Sequence, residues 1–238
     1  AATPAASGGE DLNLSASIVN GYTGDGVIVA VVDEDLEIAH EDLSDNVVSG
    51  GSYDFVNDDT DPTEASGDTS GGHGTSAAGI IAAKGWNDVG VRGVAPDASL
   101  KGFNALASGL TADYVSAFGG ETYSSDVDVF NFSVQQTYRE FGLHDNTVQN
   151  ILASTITGMR SGKGAVLVKS AGNQFDGLSS HADQNTYLSN CGNSSGTRLS
   201  CQDAILDRYH IWPSVIVTGA LATDGTKSSY SSPTATMW

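Results

Sequence analysis

Five short apolar runs punctuate the chain: Val27–Val32, Leu100–Phe103, Val127–Phe132, Ala165–Lys169 and Val215–Thr218. Val27–Val32 follows a Gly-rich turn without a polar interruption, the pattern of a strand buried on both faces, and the others resemble it. Helical patterns lie between them. His73–Ala83 is built of small residues, suited to a helix packed closely on a sheet. Val148, Ile151, Leu152, Ile156 and Met159 recur at helical spacing. Strands alternating with helices imply an α/β domain: a mostly parallel central sheet with helices on both faces. In such sheets the functional site lies at the carboxyl ends of the strands.

Nothing divides the chain. The 238 residues contain no repeat and no linker, and they suffice for one large core. Asp54–Asp68 is acidic and loop-like, and Gln174–Gln202 is a long polar stretch rich in Ser, Asn and Gly. Acidic residues outnumber basic ones 29 to 10, a formal charge of −19. This disfavours nucleic acid and anionic membrane as partners, since both select basic surfaces. The sequence has no apolar run of membrane-spanning length. Its small, processed-looking first residues, with no initiator Met, fit an exported protein. In such a protein Cys191 and Cys201, the only cysteines, read as a disulfide closing a short loop, with free thiols the alternative.

Residues suited to chemistry sit next to these elements. Asp33 follows Val29-Ala30-Val31-Val32 directly. A carboxylate held at a buried strand's end suits the orienting of a catalytic imidazole, although such residues also cap helices. His73 lies in Gly71-Gly72-His73-Gly74-Thr75-Ser76. The glycines let backbone pack around it and leave the ring accessible at a helix start. The positive end of that helix favours the neutral imidazole, the form a general base needs. Asn173 ends Ser170-Ala171-Gly172-Asn173, just beyond another apolar run, where its amide is placed to donate to a developing oxyanion. No His-Glu-x-x-His occurs, which argues against a metalloprotease.

Taken in order, these segments resemble the subtilisin-like serine peptidases. Val31-Val32-Asp33, His73-Gly74-Thr75, Gly93-Val94-Ala95-Pro96 and Ser170-Ala171-Gly172-Asn173 carry the resemblance, which extends over roughly Asp11 to Trp238. It implies a subtilisin-like fold and a secreted endopeptidase in which Asp33 orients His73, His73 is the base and Asn173 serves the oxyanion hole. Subtilisin is itself the standard example of these roles. The resemblance also implies Ca²⁺. Asp42 in His40-Glu41-Asp42-Leu43 matches a calcium carboxylate, the loop Asn87-Asp88-Val89-Gly90-Val91 matches one that adds the Asn87 amide and the carbonyls of Val89 and Val91, and Asp11 adds another oxygen. Tyr53-Asp54-Phe55 with Asn57-Asp58, and Val127–Ser133, look closer to the kexin-like branch, which cuts after basic residues. On that comparison Ser133, Val134 and Gln135 line the substrate cleft. Asp207 and Glu140 are the acids that would meet a substrate Arg or Lys.

Departures from the family pattern are equally plain. Asp35 stands where the family has Gly, either raising the pKa of His73 or pointing to solvent. Gln135 stands where the cleft strand has Gly. The family's nucleophile motif, Gly-Thr-Ser with a following Pro, is missing. The one Gly-Thr-Ser is Gly74-Thr75-Ser76 in the His segment, and Ser231-Ser232-Pro233 lacks the preceding Gly-Thr. Residues 1–238 therefore read as the N-terminal major part of a single catalytic domain, incomplete at the C-terminus. The expected partners are a protein or peptide substrate and a companion C-terminal chain carrying the serine. The alternative is a protease-like protein that binds peptides without cutting them.

Overall fold

In the computed structural model, residues 12, 14–64, 71–134, 146–173, 210 and 214–232 are described. The chain divides into two compact units: a larger one of residues 14–133 and 144–167, and a smaller one of residues 1–13, 134–143 and 168–238. The fold is a parallel five-stranded sheet with helices, in strand order β2-β1-β3-β4-β5. The strands are β1 (Ile28–Val32), β2 (Ser99–Phe103), β3 (Val129–Phe132), β4 (Val166–Ser170) and β5 (Val215–Thr218). Each coincides with one of the apolar runs to within two residues. The helices are α1 (Ser15–Val19), α2 (His73–Ala82), α3 (Ala105–Ser108), α4 (Thr111–Val115) and α5 (Asn146–Gly162).

In the larger unit β1 is flanked by β2, with Ile28 opposite Ser99 and Val32 opposite Phe103, and by β3, with Val29 opposite Val129. The Asp128 carboxylate accepts the Ile28 N–H at 2.8 Å and so fixes where β1 starts. Parallel register brings the carboxyl ends of these strands to one edge. Asp33 donates its N–H to the Phe103 carbonyl at 3.1 Å, and Leu106 donates to the Asp33 carbonyl at 3.1 Å.

The core explains the small residues of α2. Ala78 and Ala82 are fully buried and pack with Val29, Val31 and Leu100 of the sheet. The segment Gly93-Val94-Ala95 lies over the far end of this helix. Its N–H groups reach the carbonyls of Ala83, Ile80 and Ile81 at 2.9, 2.9 and 2.8 Å, acceptors that a helix end otherwise leaves open. A Cβ on Gly93 would stand 2.6 Å from the Ala82 Cα, so only Gly allows this approach. A second packed group is aromatic: Phe118 meets Phe130 and Phe132 edge-on at centroid distances of 5.4 and 5.3 Å.

The periodicity ending at Met159 reaches the point where α5 loses its helical backbone. The backbone leaves helical angles at Met159 (ψ 160°), and Arg160 and Ser161 are left-handed with φ of 55° and 60°. Met159 is nevertheless buried, because its sulfur fills the space beside Gly119, where a Cβ would lie 2.6 Å away.

In the smaller unit the pairing of β4 and β5 continues through Ala171 N–H to the Thr218 carbonyl at 2.8 Å. Two buried polar side chains brace it. Lys169 Nζ donates to the Val134 carbonyl, and a ring nitrogen of His210 lies 2.9 Å from the Ser170 carbonyl.

Candidate active site

Asp33 stands immediately after β1 and is fully buried, at 0% exposure. His73 opens α2 with its ring 51% exposed, and its Nδ1 lies 2.7 Å from Asp33 Oδ1. The same oxygen accepts the Glu34 N–H at 2.8 Å, while Oδ2 is buried with no hydrogen-bond partner among the described residues. Forty positions apart in sequence, the two residues meet because the carboxyl end of β1 and the amino end of α2 are packed together. One ring nitrogen therefore faces a fixed carboxylate and the other is left for a reacting partner.

Burial pushes the Asp33 carboxyl above its ordinary range, against the opposing pull of its bonds to His73 and to the Glu34 amide. For His73, burial acts to lower the pKa. The Asp33 bond and the charges of Asp33, Glu34 and Asp35 outweigh it, and the imidazole lies above its ordinary 6.5. The sequence argument set the helix end, which favours the neutral ring, against an Asp35 that raises the pKa unless it points to solvent. The nearby carboxylates decide that balance. Asp35 is 2% exposed and does not point to solvent. Its Oδ1 accepts the Gly74 N–H at 2.9 Å, and its Oδ2 accepts the Thr75 hydroxyl.

A second constellation gathers around Asp42, which is 3% exposed. Its carboxylate accepts the Asn87 amide at 2.9 Å and the Val91 N–H at 2.8 Å, and Asn87 Oδ1 accepts the Val89 N–H at 3.3 Å. Asp42, Asn87, Val89 and Val91 are thus together. These bonds hold the Asp42 carboxyl below its ordinary range, the Asn87 bond most of all. Trp86, Asp88 and Gly90 are all left-handed, with φ of 60°, 61° and 49°. That conformation is costly for the first two, and such strain persists only where the surroundings enforce it. A Cβ on Gly90 would overlap Asp42 Oδ2, so the loop closes on the carboxylate as a cradle open only to glycine. Among the described residues no group of three or more His, Cys, Asp or Glu is arranged to hold a metal ion. A metal here would rest on one carboxylate with amide and backbone oxygens, hard donors that fit calcium rather than zinc.

The other site residues lie at the ends of other elements or outside the described residues. Ser133 ends β3's extension in the larger unit and its hydroxyl accepts the Asn131 amide at 2.9 Å. Val134 and Asn173 belong to the smaller unit. Asn173 is exposed, three residues past β4, and the Gly172 carbonyl beside it accepts the Ser232 N–H at 2.9 Å. Asp11, Gln135, Glu140, Cys191, Cys201 and Asp207 lie outside the described residues. Sequence reasoning passed over Asn104, whose amide donates to the buried Asp54 carboxylate at 2.7 Å beside the end of β2. Asn directly after an apolar run was the available signal.

A parallel α/β sheet carrying a carboxylate–imidazole pair at the carboxyl edge of its strands defines a narrow class of proteins. Residues 24–238 match the model of the Peptidase_S8 group, described as the Subtilase family, and the chain belongs to that family. It is 38% identical over 234 residues to the Aeromonas extracellular serine protease of Aeromonas sobria, covering 94% of this chain and 35% of that protein. It is 35% identical over 171 residues to kexin of Saccharomyces cerevisiae (strain ATCC 204508 / S288c), covering 69% of this chain and 20% of kexin. The crystal structure of the Aeromonas sobria serine protease superposes with a TM-score of 0.77 at 34% identity, over 92% of this chain and 36% of that one. The chain thus spans about a third of the length of the Aeromonas protease. Among the described residues no helix is long and apolar enough to cross a membrane.

Proposed function

We propose that the chain supplies the carboxylate, the general base and an oxyanion donor of a secreted serine endopeptidase whose nucleophile lies outside these 238 residues. The observation that carries this reading is the 2.7 Å contact between His73 Nδ1 and the buried Asp33. Asp33 accepts a hydrogen bond from Nδ1–H and so fixes the tautomer in which Nε2 is the base. Nε2 then takes the proton of the serine hydroxyl as its oxygen bonds to the scissile carbonyl carbon. The carbonyl oxygen becomes an oxyanion, and the Asn173 amide donates to it. Collapse breaks the C–N bond, with the Nε2 proton passing to the leaving amine. Water, deprotonated by the same nitrogen, hydrolyses the acyl-enzyme and returns the serine.

Substrates are proteins cut after Arg or Lys, with Asp207 and Glu140 meeting the basic side chain and Ser133, Val134 and Gln135 lining the cleft. The kexin likeness and the formal charge of −19 support this. Export is supported by the extracellular Aeromonas relative. The disulfide Cys191–Cys201 belongs to the same reading. The test of substrate class is a panel of quenched peptides that differ only in the residue before the cut. Arg and Lys peptides are expected to have the highest kcat/KM, and an equal rate for Leu or Glu peptides would remove the basic preference.

Because the base must be neutral to act, the raised pKa of His73 displaces activity upward in pH. The rise of kcat/KM with pH is expected to centre above 6.5, the ordinary histidine value. A midpoint below that value would contradict the electrostatics described for the pair.

Calcium, when bound, would tie separate loops together through hard oxygen ligands. Asp42, Asn87, Val89 and Val91 would hold it, with Asp11. Removing the ion with a chelator is expected to lower Tm by about 5–10 °C when calcium had been present at about 100 times Kd, a loss of about 2.7 kcal/mol. In the Asp42→Ala variant the same chelation should leave Tm unchanged. An equal drop there would place the ion elsewhere.

A further inference from the structure

We propose that Asp35 is a positioning residue for the general base: from the segment after β1 it caps the first turn of α2 and seats His73 against Asp33. The inference rests on the reading of His73 as that base. A helix start leaves N–H groups without acceptors, and the usual remedy is a side chain at the residue just before the helix. Here that residue is Gly72, left-handed at φ 68° and without a side chain. Asp35 replaces the missing cap from another part of the chain. Its Oδ1 accepts the Gly74 N–H at 2.9 Å. Its Oδ2 accepts the Thr75 hydroxyl and faces the Thr75 N–H at 3.4 Å. Thr75 Oγ1 in turn accepts the Glu37 N–H at 2.8 Å.

The helix start is thereby laid on the segment that carries Asp33. A Cβ on Gly74 would overlap the Asp35 carbonyl oxygen and lie 2.8 Å from the Asp33 Cβ. His73 directly precedes the two residues so clamped, and its ring meets Asp33 at 2.7 Å. Asp35 is 2% exposed, so its charge is poorly screened. That charge sits at the positive end of α2, which on its own would oppose an imidazolium. Among the described residues, Asp33 and Glu34 on the same segment also act on the ring by their charge. Glu64 adds one more carboxylate close by, accepting the Gly72 N–H at 3.1 Å. Glu34 is exposed, yet its charge raises the His73 pKa more than that of Asp35 does. Asp35 thus does two things through one carboxylate: it sets where the ring stands and how strongly its charged form is held.

The test compares Asp35→Asn, Asp35→Gly and Thr75→Val in the complete protein, with folding checked by circular dichroism. The His73 imidazole is titrated by NMR, and kcat and KM are measured separately. Asp35→Asn keeps one acceptor and loses the charge, so the imidazole titration should fall to lower pH, with the acid limb of kcat/KM moving alongside it. Asp35→Gly loses the clamp too, and kcat should fall about 10–100-fold with KM within about 2-fold. Thr75→Val keeps the charge and loosens the clamp, so kcat should fall while the titration stays in place. If Asp35→Gly does not fold, the other variants decide the matter. An unmoved titration and an unchanged kcat in Asp35→Asn overturn the proposal, as does a Thr75→Val titration shift equal to that of Asp35→Asn. If the parent protein cleaves no peptide yet the titration moves as stated, the endopeptidase reading fails while the placement of His73 by Asp35 stands.

Discussion

Changing Asp33 to Asn in the complete enzyme is expected to lower kcat about 10⁴-fold while leaving KM and the fold nearly unchanged. The reason is local. Asp33 Oδ1 is the acceptor for His73 Nδ1 at 2.7 Å and for the Glu34 N–H at 2.8 Å. The side chain is fully buried, so no water can take over the acceptor role. An Asn with its oxygen at the Oδ1 position would bury its NH₂ at the Oδ2 position without an acceptor, and one turned the other way sets the NH₂ against Nδ1 and the Glu34 N–H. Where NH₂ faces Nδ1, that nitrogen becomes an acceptor and the proton moves to Nε2, the atom required as base. The substitution also removes the charge that stabilises the imidazolium formed during attack. Kinetics on a single chromogenic peptide suffice as the check. A loss below about 10-fold would mean that Asp33 is a structural anchor rather than the group that orients the base.

The second large effect is expected from His73→Ala, which should cost about 10⁶-fold in kcat, a magnitude taken from subtilisin, the family's type enzyme. The ring is half exposed, and its contact with Asp33 is 2.7 Å, so truncation removes the proton acceptor without opening the core. Thermal unfolding should be nearly unaffected for the same reason. Residual activity should lose the histidine-type pH dependence. The double variant Asp33→Asn with His73→Ala should be hardly slower than His73→Ala alone, because the carboxylate acts through the imidazole.

These outcomes draw on features that differ in how readily the sequence displays them. The strands were legible because each is a short apolar run, and β5 was read at its observed bounds, Val215–Thr218. The Asp33–His73 pair was legible because each residue borders a recognisable element, and the family resemblance joined them. Asp42, Asn87, Val89 and Val91 were joined in the same way. The break in backbone angles within α5 was not legible. Met159 continues the apolar period, yet it is buried beside Gly119 by tertiary packing rather than by the helix. Nor could composition show that Asp54 and Lys101 are buried. Asp54 is satisfied by Asn57, Asn104 and the Val56 amide, and Lys101 by Asp126 and the Tyr123 carbonyl. Each of these buried groups depends on partners brought in by the fold. The cap from Asp35 escaped notice for a similar reason. The sequence rule looks just before the helix, where Gly72 stands, whereas the acceptor comes from a segment 39 positions away.

The central claim is that Asp33 and His73 activate a serine. It is tested most directly by treating the complete native protein with a fluorophosphonate and locating the adduct by mass spectrometry. The account predicts one labelled serine, outside residues 1–238, with peptide hydrolysis lost in step with labelling and labelling abolished by His73→Ala. Stable peptide binding with neither hydrolysis nor a labelled serine would contradict it.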